Sequence, residues 1–340
     1  MEKCEPQKEY ECRIQIVTSD PVLESINRIL QQTVSSYSSN FSIYRVPEPL
    51  RSINPEAYTP TLISIGPLHS GRKELMANSH KPIFLQNFLN LTKLPLYTII
   101  ETVKISEEQA RCCYAESIEM NNNEFVELLV LDGCFVVMYI ITSQFPELRS
   151  PNTSNLLRFW DQIFCDLLLL ENQLPYFLLQ SLYDLCSSSQ TFTTMCEFHP
   201  PCYNEEGLDF LKKHVLLTDM DGKVNHLVDF VRTHFAHSCS TKTLFHRTFW
   251  PPTATQLHEC GVVFRTDKGS KKCAVDVAFI DYDGCLELPQ IIIYDGFETR
   301  VRNLIAYEQC HAGEMREEVS NFAVFMQYMV QNRARREIAG

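Results

Sequence analysis

Glycine is scarce in this chain, with 11 residues among 340. Few places therefore exist where bare backbone could close around a phosphate. The phosphate-cradling patterns GxGxxG and GxxxxGK[ST] are both absent. So are HExxH and GxSxG, which removes the familiar signatures of zinc proteases and serine hydrolases. A basic face is missing too. The formal charge is −12, and the one tight basic cluster is Arg333, Arg335 and Arg336. A nucleic-acid binder needs a basic stripe to displace counterions from phosphates, so no nucleic-acid partner is expected.

Uninterrupted apolar runs of bilayer length, roughly 20 residues, are also lacking. Residues 125–142 are broken by Glu127 and Asp132, and residues 163–185 carry Asp166, Glu171, Asn172 and Gln173. Both stretches read as buried core helices. The opening residues MEKCEPQKEYEC lack the apolar stretch of a secretory signal. The expectation is an intracellular chain, soluble as given, with most of its 14 cysteines reduced. Sequons beginning at Asn40, Asn90 and Asn152 then carry no weight.

What is present is the material of a packed domain: 45% apolar and 21% charged residues, in a chain long enough to bury a large core. Residues 1–40 read as a polar segment with one amphipathic helix around Val22 to Val34. Residues 41–336 read as a single domain, with a loop or insertion at 187–207. Residues 43–71 hold five prolines, which forbids a long helix and predicts extended segments, with Thr61 to Ile65 as a short strand. Helices should dominate 79–186, one of them starting at Ser106 with Gln109 in the capping-box position. A helical pattern returns over 208–237. GVVFRT, CAVDVAFI and LPQIIIY, between 260 and 293, predict a small antiparallel sheet with a turn at Asp281–Gly284. Helices resume near Glu298 and run, with a break near Gly313, to about Arg336. The fold class is α+β, mainly helical.

The chemistry to weigh lies in three carboxylates set among apolar residues. Asp132 lies in LLVLDGCFVV, Glu171 follows four leucines, and Glu308 is at helical spacing from Val301, Leu304 and Ile305. A buried charge is costly unless paired, and the candidate partners are Arg45, Arg51, Arg111, Arg300 and Arg302. Asn172 and Asn303 are placed to satisfy backbone groups where the proline-rich segment crosses the helices. One reading makes the carboxylates the acid and base of a cleft. The reading adopted here is a structural polar core, made of Arg45, Arg111, Asp132, Glu171, Asn172, Arg302, Asn303 and Glu308. No nucleophile or positioned histidine accompanies these groups in the sequence.

Other constellations are weaker. Cys196, His199 and Cys202, with His234, His237 or Cys239, could compose a zinc site. Their spacing is irregular, however, and Pro200–Pro201 interrupts it. Asp219–Gly222 resembles a calcium-loop fragment without its closing glutamate. Cys310 and His311 are helix neighbours pointing to different faces. No metal and no cofactor are expected.

Five blocks in order carry a family likeness. They are the proline-rich segment with Ile65-Gly66-Pro67, Ala110-Arg111-Cys112-Cys113-Tyr114, Leu131-Asp132-Gly133-Cys134-Phe135, Leu170-Glu171-Asn172-Gln173-Leu174-Pro175, and the stretch from Ala254 to Cys310. Together they resemble the plant-specific family called domain of unknown function 247, or uncharacterised protein family 0481, over roughly residues 43–330. The resemblance implies no established chemistry. It also implies, for full-length members, a further C-terminal region ending in one membrane-spanning helix, which this chain does not contain before Gly340. Some members are implicated in pollen-side recognition in grass self-incompatibility, which implies an interaction or signalling module with a protein partner. On this reading, variable loops such as 187–207 meet that partner.

Overall fold

The computed structural model describes residues 22–28, 41–72, 74–193, 224–236, 252–266, 275, 277–291, 293–311, 313 and 315–330. The chain falls into two units, residues 1–40 and 41–340. Of the first, residues 22–28 are described and are helical; the rest of the helix expected to Val34 lies outside the described residues.

The second unit is built around one long helix. After a single helical turn at Glu48–Arg51, inside the segment expected to be extended, come α1 (Lys81–Thr92), α2 (Leu96–Ile105), α3 (Glu107–Arg111) and α4 (Asn122–Gln144). They are followed by α5 (Trp160–Leu167), α6 (Tyr176–Ser187) and α7 (Leu227–Ala236). Helix α4 packs against α1, α2 and α6, and its side chains from Cys134 to Thr142 are all buried. Its start is set by a capping box. The Asn121 side chain accepts the Glu124 N–H at 3.0 Å, and the Glu124 carboxylate accepts the Asn121 N–H at 3.1 Å. Because α4 is apolar on every side, it becomes the centre of the core instead of a one-sided surface helix. Among the described residues it alone is long and apolar enough to cross a membrane, and 83% of its apolar window is buried inside the protein. Gly133 lets α6 approach closely, since a Cβ there would sit 2.5 Å from Leu182 Cδ1. Burial of Phe84, Phe88, Phe125 and Phe135 adds about 2 kcal/mol for each ring.

The predicted capping box at Ser106 does not form. Ser106 begins α3 but also ends α2, at φ −97° and ψ −1°, and its side chain makes no cap bond. Those angles lie outside the extended conformation from which an N-cap side chain reaches the third helical N–H. The apolar stretch 163–185 is likewise not continuously helical. α5 ends at Leu167 and α6 begins after Pro175, with the turn LLLENQLP between them.

After α8 (Ala254–Glu259) come strands β1 (Val263–Thr266), β2 (Ala278–Ile280) and β3 (Cys285–Leu288). The sheet is mixed rather than antiparallel, with order β1-β3-β2. β2 and β3 form the antiparallel hairpin expected from Asp281–Gly284, whereas β1 pairs with β3 in parallel. The reason lies in burial. Cys285 and Leu286 are the buried residues of the three strands, so β3 takes the centre and β1 must join it on the far edge. The run after Leu288 is no strand, because Pro289 offers no N–H to a ladder. α9 (Phe297–Cys310) and α10 (Glu318–Val330) follow, separated around Gly313. Most of the 187–207 insertion, the calcium-like fragment and the three C-terminal arginines lie outside the described residues.

Candidate functional site: the buried polar core

Thr61–Ile65 is not a strand, bending at Thr61 and Leu62, and the reason defines the site. Six consecutive N–H groups are taken by side chains from elsewhere in the chain, leaving none for a ladder. Thr61, Leu62 and Ile63 donate to the Asp166 carboxylate, the bond from Leu62 being 2.7 Å long. Ser64 donates to Asn78 Oδ1 at 3.1 Å and Ile65 to Asn172 Oδ1 at 2.6 Å. Gly66 donates to Asp132 Oδ2 at 2.9 Å. The segment is thus read residue by residue by buried side chains of α4, α5 and the turn before α6, together with the half-buried Asn78 just ahead of α1. Buried donors must be paired somewhere, and here they are paired by carboxylates and amides.

Asp132 is 2% exposed. It is held by Lys81, whose Nζ lies 2.5 Å from its Oδ1 and also donates to the Ser64 carbonyl at 2.7 Å. Burial raises the Asp132 carboxyl above its usual range, and Lys81 and the Gly66 N–H oppose that rise. Asp166 is raised for the same cause, opposed by its backbone bonds, the one from Leu62 first.

Glu171 is 1% exposed and gathers the most partners. Arg51 Nη2 pairs with Oε1, the Val46 N–H donates to Oε1 at 2.7 Å, and Arg45 Nη1 lies 3.5 Å from Oε2. His69 Nε2 also lies 3.1 Å from Oε2. Burial alone would raise this carboxyl, but the bonds from His69, Arg51 and Val46 outweigh it and hold it below the usual value. Arg45 reaches outward as well, to Glu116 at 2.9 Å.

Glu308 is fully buried on α9 and closes the far end. It accepts Arg232 Nε at 3.3 Å, the N–H groups of Val319 and Ser320, and the Ser320 hydroxyl at 2.7 Å. In this way it ties α7 and α9 to the first turn of α10. Asn303, one helical turn earlier, accepts the Leu170 N–H and donates to the Ala57 carbonyl, each at 2.8 Å. Asn172 donates to the Ile63 and Asp166 carbonyls.

Three expected partners lie elsewhere. Arg111 bonds Glu107 at 2.6 Å and the carbonyls of Ile118 and Met120, with its guanidinium 4.5 Å from the Phe125 ring centre. Arg302 bonds Glu298 at 2.8 Å on the outer side of α9. In both, a carboxylate four residues earlier on the same helix is the nearer anion, so the local pair forms. Arg300 meets none of the three carboxylates; its guanidinium stacks 5.0 Å from Phe235 and 4.9 Å from Tyr294.

Lys81, His69, Asp166, Asn78 and Arg232 belong to the polar core although none is among the residues expected there, and His69 places a histidine beside Glu171 where none was expected. For Asp166 a signal existed, a carboxylate preceding four leucines, the same pattern that marked Asp132. For Lys81 and Arg232 none did, since an ordinary helical lysine or arginine becomes a core residue only through what packs over it. Of the suggested zinc ligands, Cys196, His199, Cys202, His237 and Cys239 lie outside the described residues. Among the described residues no group of three metal-binding side chains occurs.

The residues that form this core, from Arg45 to Glu308, fall within the stretch 43–334 matched by the family DUF247, described as plant protein of unknown function. The chain belongs to that family. Within DUF247, it is similar to UPF0481 protein At3g47200 of Arabidopsis thaliana. The identity is 30% over 324 residues, covering 85% of this chain and 65% of the relative. It is also similar to the putative UPF0481 protein At3g02645 of the same plant, 27% identical over 141 residues, or 41% and 26% of the two chains. This DUF247 chain therefore spans less than two thirds of either relative's length. No solved structure matches it.

Proposed function

We propose that this DUF247 chain is a non-catalytic recognition scaffold, an interaction or signalling module whose partner is a protein and which works beside a membrane in longer relatives. One observation carries the reading. The carboxylates that could have served as acid and base spend their acceptor positions inside the protein, Asp132 on Lys81 and Gly66, Glu171 on Arg51 and Val46, and Glu308 on Arg232, Val319 and Ser320. A general acid or base must reach a substrate proton within hydrogen-bond distance. These groups reach backbone instead. The net charge of −12 favours a protein partner over nucleic acid. The self-incompatibility role of other family members fits recognition and is carried here only as a proposal.

Affinity purification of the whole chain from plant tissue, followed by titration of each purified candidate against the purified chain, tests the proposal. Saturable binding at fixed stoichiometry is the expected result. The reading is overturned if no candidate binds while the chain turns over a small molecule, and that turnover is lost in a stably folded Asp132→Asn variant.

A further inference from the structure

A second polar constellation surrounds His226. This histidine is fully buried and precedes α7, its carbonyl accepting the Phe230 N–H at 2.9 Å. Its Nδ1 accepts the Asp229 N–H at 3.2 Å, so the imidazole caps α7 as a serine or asparagine would. Its Nε2 lies 2.8 Å from the Ser42 carbonyl and must donate to it. The two bonds together fix the neutral ring with its proton on Nε2. One imidazole thus joins the start of α7 to the start of the proline-rich segment.

The surroundings contain little to accept a second proton. From α7, Asp229 turns its carboxylate to the Asn225 N–H and side-chain amide, at 2.8 and 3.0 Å. From α9, Tyr307 meets the His226 ring edge-on at 4.8 Å, and His311 packs on Tyr307 at 4.5 Å. From the proline-rich segment, Tyr44 packs edge-on against His311 at 5.0 Å. From the turn before α6, Gln173 accepts the Val228 N–H. A proton on Nδ1 would face the Asp229 N–H and the positive end of the α7 dipole. It cannot be accommodated while the ring stays in place.

We propose that His226 is a proton-operated latch: protonation at Nδ1 expels the ring, uncaps α7 and removes the donor from the Ser42 carbonyl. Acidification then loosens the first turn of α7 and the entry of the proline-rich segment together, next to the buried Ile43. Burial is the main cause that holds the imidazole down to about 4, with His311 adding to it and Asp229 and the Ser42 bond opposing. The sign follows directly. A group whose folded pKa is depressed below the ordinary 6.5 of an imidazole favours the open form as pH falls. Between pH 7.5 and pH 5 the local opening constant should rise roughly 25- to 30-fold.

Hydrogen exchange of the Asp229 and Phe230 amides in the whole chain, compared at the two pH values as protection factors, tests this. The expected result is that fold-change in the natural chain and a nearly flat response in His226→Gln, which keeps a donor for Ser42 but does not titrate. Unchanged protection in the natural chain overturns the latch, as does an equal loss in His226→Gln. If that variant fails to fold, the nitrogen resonances of His226 in the natural chain decide. A ring that stays protonated on Nε2 alone through pH 5 while the Asp229 amide progressively loses protection over the same range supports the latch. Titration near 6.5 with that amide still protected overturns it.

Discussion

The Asp132 carboxylate accepts the Gly66 N–H at 2.9 Å, at a backbone position where only glycine fits. Gly66 has φ +74°, and a Cβ there would lie 2.4 Å from the Gln173 carbonyl oxygen, to which the Tyr114 hydroxyl already donates at 2.9 Å. Four of the family blocks, Ile65-Gly66-Pro67, the block ending in Tyr114, the Asp132 block and the Gln173 block, therefore converge on a single peptide.

Gly66→Ala should cost about 2–3 kcal/mol, since the new methyl meets both a rare backbone conformation and a fixed carbonyl. Urea denaturation at neutral pH measures it. A loss below about 0.5 kcal/mol would mean the close approach to Gln173 is not maintained in solution.

Breaking the Lys81–Asp132 pair should be far costlier than removing both charges. Asp132→Asn or Lys81→Met alone leaves a buried charge uncompensated and should cost about 3–5 kcal/mol. The double variant should lose clearly less than the sum of the two, which a double-mutant cycle detects. Additive losses would sink the pairing.

Asp166→Ala strands the N–H groups of Thr61, Leu62 and Ile63, at about 1–3 kcal/mol for each group left without water or another acceptor. Asp166→Asn retains one acceptor oxygen and should fall between this variant and the natural chain. Thermal unfolding ranks the three, and equal stability of the alanine and asparagine variants would argue against the backbone-reading role.

The two kinds of buried carboxylate predict opposite pH responses. Glu171 is held below the usual 4.5, so its stabilisation is present above that value and fades as pH falls through the folded pKa. Asp132 and Asp166 are raised above 3.8, so the folded state binds the extra proton and each favours folding less as pH rises past 3.8. The cost of Glu171→Gln should accordingly be largest at pH 6–7 and shrink toward pH 3. Urea midpoints across that range decide, and a penalty that does not shrink on acidification would show that the carboxylate charge is not what Arg51 and His69 hold.

Much of this arrangement can be read along the chain, and the parts that cannot are instructive. The crossing of the proline-rich segment over Asn172 and Asn303 follows from amides and charges in apolar runs and from proline density, whereas which of the five candidate arginines Glu171 takes does not. Lys81 and Arg232 carry no such mark. Each lies on an amphipathic helix where a long side chain facing water would look the same in sequence. The sheet went astray for a related reason: alternation identifies strands but says nothing of which strand takes the centre. Family membership, helical content and the buried character of α4 were therefore determined by the sequence itself, through local periodicity and ordered motifs. The partner of each buried charge, the mixed order of the sheet and the neutral cap at His226 were decided only by tertiary structure. They depend on groups tens to hundreds of residues apart, which chain folding brings within 3.5 Å and no local pattern encodes.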